Sequence, residues 1–129
     1  MLITPTYIDR STIHGMGLFA AETIPPNTLI WKGTPYTYMP VSEETYQKMR
    51  RELSPVSFSQ IDKYWVNVKG THYLCVDDAR FINHSLEGCN THYDSEKNEL
   101  SSIREIQKGS EILENYDLFY PDEGKHDFS

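Results

Sequence analysis

The sequence is poor in cysteine, has no long apolar run and is short of cations. Two cysteines, Cys75 and Cys89, among 129 residues make no disulfide framework, and in a reducing compartment both stay thiols. No stretch approaches the roughly 18 apolar residues of a membrane-spanning helix. The opening residues, Met1-Leu2-Ile3-Thr4-Pro5, lack the basic flank and apolar stretch of a secretory signal, so an intracellular setting is expected, cytoplasmic or nuclear. Lys plus Arg number 12 against 19 Asp plus Glu, a formal charge of −7. That balance argues against direct nucleic-acid binding through phosphate neutralisation and against a polybasic membrane anchor. It favours a basic partner such as a Lys/Arg-rich protein segment.

Aromatic residues make up 12% of the chain, which suits a packed protein with an aromatic-lined pocket and excludes a disordered one. The length and the uniform composition predict a single domain over residues 1–129. Short β-like runs dominate. Leu2 to Ile8, broken by Pro5, reads as an edge or bent strand. Gly17–Ala21 and Thr28–Lys32 flank a turn at Pro25-Pro26-Asn27. Tyr64–Val68 and Thr71–Val76 flank Lys69-Gly70 as a hairpin, and Leu100–Ile106 and Ser110–Leu113 flank Lys108-Gly109 as another. Ser42 reads as a helix N-cap, with Glu43 and Glu44 in the first turn, Tyr46, Met49 and Leu53 on one face, and Pro55 as the stop. Phe58, Ile61 and Trp65 suggest a second short helical stretch. Glu22–Ile30 and Arg104–Ile112 share the pattern Ile-x-x-(Asn/Gly)-x-x-Ile, and the echo alone reads as two unrelated hairpins whose turns need a positive φ at Asn27 and Gly109.

Three segments carry candidate chemistry. Two glycines two apart in His14-Gly15-Met16-Gly17 let backbone approach a ligand closely, although no third glycine or βαβ unit makes this a dinucleotide fingerprint. Asn83-His84-Ser85 follows the apolar pair Phe81-Ile82. Gly109-Ser110-Glu111-Ile112 leads into Glu114-Asn115-Tyr116. Each is weak alone. In this order and spacing they resemble the SET-domain family of protein lysine methyltransferases. Gly15–Ala20 looks like its Gly-x-Gly motif, Ile24–Gly33 like the strand pair that follows, Arg80-Phe81-Ile82-Asn83-His84-Ser85 like its Arg-Phe-x-Asn-His-Ser signature, and Ile106 through Tyr116 like its C-terminal motif. The resemblance runs from Ile13 to about Tyr120, with a variable insert expected at about 38–64 and a tail over 117–129.

The resemblance implies a mostly β, β-clip-like fold with few short helices and a C-terminal pseudoknot that brings Asn83-His84 and Tyr116 together. It implies S-adenosylmethionine as cofactor and a lysine entering from the opposite face of a channel. Tyr116 would be the catalytic residue. Gly15, Met16, Gly17, Arg80, Asn83, His84, Tyr116 and Phe119 would bind cofactor, while Trp65, Tyr73, Glu114 and Tyr120 would line the substrate channel, with Phe128 a further aromatic in reach. The partner would be a basic, lysine-containing protein. Methyl transfer to an amine needs a neutral nucleophile aimed in line, so positioning carries much of the rate.

The chain departs from the family pattern in several places. After Ser85 the run Leu86-Glu87-Gly88-Cys89-Asn90 is one residue longer than usual and lacks the proline. Glu114 stands where histone-directed members carry Phe or Tyr. No Cys-x-Cys cluster follows Tyr116, so no zinc-binding post-SET element is expected and the tail or a second subunit, as in a homodimer, must close the site. Two rivals compete with a methyltransferase. His72-x-x-Cys75 and Cys89-x-x-His92, with His84 between them, have finger-like spacing for zinc, although a metal-free protein is expected. The other rival is a catalytically impaired SET-fold module that binds cofactor or a protein partner without methyl transfer.

Overall fold

The structure is a computed structural model that describes residues 1–68 and 70–116. In chain order its elements are β1 (Thr6–Arg10), β2 (Met16–Ala20), β3 (Leu29–Lys32), β4 (Tyr38–Val41), α1 (Glu43–Glu52), α2 (Pro55–Asp62), β5 (Trp65–Val68), β6 (Thr71–Cys75), β7 (Asn83–His84), β8 (Thr91–Asp94), β9 (Glu99–Ser102) and β10 (Leu113–Glu114), with a 3₁₀ turn at Asp78–Phe81. They form four small sheets: an antiparallel β1-β2 pair, β3-β9-β8, β4-β6-β5, and a two-residue parallel pair of β10 with β7. The fold is therefore mostly β with short helices, as expected.

One core joins the sheets. Leu18 and Ala20 of β2, Ile30 and Trp31 of β3, Leu100 of β9, and Ile24, Ile106 and Ile112 are all buried and mutually packed. Adjacent residues Ile30 and Trp31 both point inward because the β3 register shifts between Leu29 and Trp31. Such a bulge breaks the two-residue alternation of a strand.

The two echoing segments are not unrelated hairpins. Ile24 and Ile106 exchange both backbone hydrogen bonds, each 2.8 Å. On one side Asn27 N donates to Ser102 O (2.9 Å) and Ser102 N to Thr28 O (2.9 Å); on the other, Gly109 N donates to Ala20 O (2.8 Å) and Ala20 N to Ser110 O (3.0 Å). Exchanging the segments maps one set onto the other, a pseudo-two-fold about the Ile24/Ile106 pair. Both turns use the left-handed region, at Asn27 (φ 57) and Gly109 (φ 88). The expected Leu100–Ile106 and Ser110–Leu113 hairpin does not form, because each flank pairs elsewhere: β9 with its neighbour β8 and with distant β3, and β10 with β7. The β5-β6 hairpin does form. The first strand lies later than the Leu2–Ile8 reading, at β1, with Leu2 making an isolated bridge to Trp31.

Helix α1 starts where its cap chemistry dictates, with Ser42 Oγ accepting from Thr45 N (3.1 Å) and acids in the first turn facing the positive helix end. Pro55 closes α1 and opens α2 at its first position, where a proline loses no helical hydrogen bond. Trp65 is not part of that helix; it begins β5. Tyr46 docks α1 on the β4-β6-β5 sheet, stacked on the His72 ring at 4.2 Å, while the Glu43 carboxylate pairs with His72 Nε2.

The C-terminal strand is threaded. On one side Leu113 and Glu114 pair with Asn83 and His84, and Ser85 N donates to Glu114 O at 3.0 Å. On the other, Asn90 Nδ2 donates to Glu111 O (2.9 Å), Asn90 Oδ1 accepts from Leu113 N (2.9 Å) and Thr91 Oγ1 donates to Leu113 O (2.9 Å). Residues 111–114 thus run inside the loop between β7 and β8, the pseudoknot expected from the sequence. Asn90 acts as a strand edge made from a side chain, which tolerates the extra loop residue. Asn90→Ala should leave one buried donor and one acceptor unpaired and destabilise the fold by about 2–4 kcal/mol, read as a lower denaturant midpoint with unchanged slope.

Candidate functional site

The threading delivers Tyr116 to the base of a cavity of about 420 Å³. Tyr116 is buried, its hydroxyl donates to the Ile82 carbonyl and its backbone N donates to His84 Nδ1 at 2.9 Å. The His84 ring packs 5.0 Å from the Tyr116 ring. An Nδ1 that accepts carries no proton, so this contact selects the His84 tautomer protonated on Nε2. Burial pushes the Tyr116 phenol far above its ordinary pKa of 10.0, with smaller contributions from the Glu114 and Glu111 charges. The phenol keeps its proton.

His14, Gly15 and Met16 also line the cavity. Asn83 holds that loop. Its Nδ2 donates to His14 O (2.9 Å), Met16 O (3.1 Å) and Glu111 Oε2 (3.0 Å). Ser11 Oγ donates to the Glu111 carboxylate at 2.8 Å and accepts from Ile13 N at 2.9 Å. A Cβ at Gly17 would lie 2.4 Å from Glu111 Oε2, so a larger residue there would displace that carboxylate from Ser11 and Asn83. One buried-side carboxylate therefore locks the Gly-x-Gly loop, Asn83 and the threaded segment together.

Aromatic side chains build the remaining walls: Trp31, Tyr38, Tyr64, Trp65 and Phe81. The Arg80 guanidinium lies over Tyr64 (5.6 Å) and Phe81 (4.8 Å) and donates to Val76 O (3.1 Å). Cys75 also reaches the cavity, but burial pushes its thiol up to about 12, so it is no nucleophile near neutral pH. Glu114 faces the same space. It is buried, and that burial pushes its carboxyl from the ordinary 4.5 up to about 8.

A family profile for the SET domain matches residues 15–117, most of the chain. The chain belongs to the SET-domain family. Solved structures agree in fold. The Plasmodium falciparum protein PFL0690c aligns with a TM-score of 0.53 at 23% identity, over 89% of this SET domain and 95% of that chain. The Neurospora SET domain protein DIM-5, a histone lysine methyltransferase, aligns with a TM-score of 0.57 at 19% identity, over 89% of this chain and 53% of that one. A chain of the Chaetomium thermophilum polycomb repressive complex 2 aligns with a TM-score of 0.61 at 20% identity, over 95% of this chain but 16% of that one. This SET domain thus spans about half of the Neurospora chain and a small part of the polycomb chain. No curated protein shows a significant match.

Of the site residues expected from sequence, the SET domain brings Gly15, Met16, Trp65, Arg80, Asn83, Glu114 and Tyr116 to one cavity. Gly17 and His84 stand behind its walls, Gly17 against Glu111 and His84 against Tyr116. Tyr73 is not a wall residue; it stacks on Tyr38 at 4.7 Å and backs it. Phe119, Tyr120 and Phe128 lie outside the described residues. The zinc alternative finds no support in the geometry: among the described residues no three His, Cys, Asp or Glu side chains gather as a metal site, and His72 is engaged with Glu43 and Tyr46 instead.

Sequence reasoning missed Glu111, Asn90 and Tyr38. Glu111 sat inside a quoted motif, yet nothing in its spacing shows a carboxylate bridging Ser11 and Asn83. Tyr38 opens the stretch expected as a variable insert, but β4 pairs with β6 and carries it into the cavity.

The buried Glu114 gives a pH signature. Its folded pKa exceeds the unfolded one, so the folded state holds an extra proton between pH 4.5 and about 8. Stability from this group is greatest below the lower value and falls until the upper one is passed. Glu114→Gln should flatten that decline and stabilise the protein by roughly 3–5 kcal/mol above pH 8, seen as a higher melting temperature at alkaline pH and little change near pH 4.

Proposed function

We propose that this SET domain is an S-adenosylmethionine-dependent methyltransferase acting on a lysine side-chain amine of a protein substrate. The observation that carries the reading is the delivery of Tyr116, through the threaded crossing, to an aromatic-walled cavity that the Gly-x-Gly loop also lines.

The cavity suits the cofactor. Its volume falls in the range of small-molecule sites, and His14, Gly15 and Met16 line it as exposed residues that an amino-acid head could meet. SET-domain methyltransferases generally use S-adenosylmethionine, which when bound would supply a methyl group polarised by a sulfonium. The residues present fit it: His14, Gly15 and Met16 would line the methionine part, with Arg80, Phe81 and Asn83 beside it. Asn83 acts mainly by fixing that loop, since its amide donors are already used there. His84 positions Tyr116 from behind.

The chain's own groups then do three things. The aromatic walls Trp31, Tyr38 and Trp65 exclude water and weaken the protonated form of an entering amine, whose ordinary pKa is about 10.4. The Tyr116 hydroxyl, its proton committed to Ile82 O, accepts from an amine N–H and so aims the nitrogen lone pair. Main-chain carbonyls around the cavity favour positive charge. The net charge of −7 suits a basic substrate segment.

Glu114 supports one second reading, a SET-fold module that binds without transferring, because a carboxyl group stands where histone-directed members carry an aromatic. Incubating the protein with methyl-labelled S-adenosylmethionine and lysine-rich peptides separates the two: label on lysine supports the enzyme, and cofactor binding with no transfer supports the module. Tyr116→Phe should reduce kcat by about 10²–10³-fold with cofactor affinity within about twofold. Asn83→Ala should weaken cofactor binding by about tenfold or more in calorimetry, because two loop carbonyls lose their donor.

A further inference from the structure

Resting on the methyltransferase reading above, we propose that the Glu114 carboxylate is the proton acceptor that turns the incoming lysine ammonium into the nucleophilic amine. A lysine that reaches the cavity from water arrives protonated, and its nitrogen lone pair is free for attack only after a proton leaves. Some group or water at the site must take it.

Among the buried groups that line the cavity, Glu114 is the one able to take that proton. The Tyr116 phenol holds its own proton and donates it to Ile82 O. Tyr38, across the cavity on β4, is likewise held protonated by burial, as is Cys75 on β6. Lys63 and Arg80 are cations, and Arg80 is spread over Tyr64 and Phe81. His14 stands exposed in the Gly-x-Gly loop. Glu114 is the carboxyl group among the wall residues, two positions before Tyr116 on the same threaded segment.

The surroundings of Glu114 are arranged for exchange with a guest. Among the described residues no hydrogen bond or ion pair engages its side chain, although the residue is 9% exposed. The titratable groups that feel its charge are the phenols of Tyr38 on β4, Tyr93 on β8 and Tyr116; Glu111, which also acts on Tyr116, is held by Ser11 and Asn83. Among the described residues no cation pairs with Glu114, so once it is ionised, above about pH 8, an entering ammonium meets an unpaired carboxylate in a low-dielectric space, a situation that favours proton transfer. Burial supports the role: a carboxyl that titrates near pH 8 is a far better base than an exposed one.

The step balances simply. A Glu114 oxygen forms a bond to one Nζ hydrogen, the N–H bond breaks and its electron pair stays on nitrogen. Lysine becomes a neutral amine and Glu114 a neutral acid, so this pair carries no charge after the transfer. Tyr116 then aims the lone pair, and Glu114 returns its proton to solvent after turnover.

The test pairs a binding readout with a rate readout on the whole chain, wild type against Glu114→Gln, which preserves shape and folds at least as well by the argument above. Calorimetry follows an Arg-rich peptide with one lysine, and the same peptide with norleucine, at about pH 6.5 and about pH 9. The wild type should bind the lysine peptide about tenfold tighter at the higher pH, whereas the norleucine peptide and the Gln variant should show no such gain. Single-turnover methyl transfer should rise with pH to a plateau above about pH 8 in the wild type, and be at least about 10²-fold slower in the variant with that titration gone. If the two proteins share one pH dependence in binding and in rate, Glu114 is not the base. If the wild type shows pH-dependent lysine binding but transfers no methyl at any pH, the methyltransferase reading itself is overturned, and the base with it.

Discussion

The Glu111 carboxylate and the Asn83 amide meet at 3.0 Å, and most of the site depends on that contact. Asn83 comes from β7 and Glu111 from the segment that enters β10, so the bond ties the two strands of the crossing. The same Asn83 nitrogen holds two carbonyls of the Gly-x-Gly loop, and the same carboxylate takes Ser11. Gly17 is small because Glu111 fills the place of its side chain. Loop, crossing and cavity wall are thus one hydrogen-bonded unit. Shared networks of this kind are worth more than their pairs taken singly, since removing one member strands the others.

A second constraint acts from the far side of the threaded segment. Asn90 supplies from one side chain the donor and acceptor that a neighbouring strand would supply from its backbone. A strand of two residues could not hold its register with one partner. Held on both edges, residues 111–114 carry Ile112 into the core and set Glu114 and Tyr116 at the cavity. The pseudo-two-fold about Ile24 and Ile106 reinforces this, because the turn at Gly109 that launches the segment is bonded to Ala20 just as the turn at Asn27 is bonded to Ser102.

The cavity's electrostatics follow from the same geometry. Burial among its aromatic walls raises the carboxyl of Glu114 and the phenol of Tyr116 chiefly by one mechanism, loss of hydration of the charged form. Two groups with weakened charge, one able to aim a nitrogen and one able to take its proton, suit chemistry on an amine. An enclosed carboxyl group is a cost to stability, and a site that binds a cation recovers it.

Much of this was legible in the chain. The cap at Ser42, the proline at 55, the Lys69-Gly70 turn and the three spaced motifs were readable because they rest on local rules: capping, fixed φ, turn residues and residue type at short spacing. With the family resemblance that the motifs carry, they sufficed for a mostly β SET domain. The sequence could not reveal that Asn83 spends its amide on the Gly-x-Gly loop, that Tyr73 backs Tyr38 rather than lining the cavity, or that Ile24 and Ile106 pair. These are contacts between residues far apart in the chain, and they were decided by the threading. Threading is a property of the closed set of hydrogen bonds, and no window of neighbouring residues contains both sides of it.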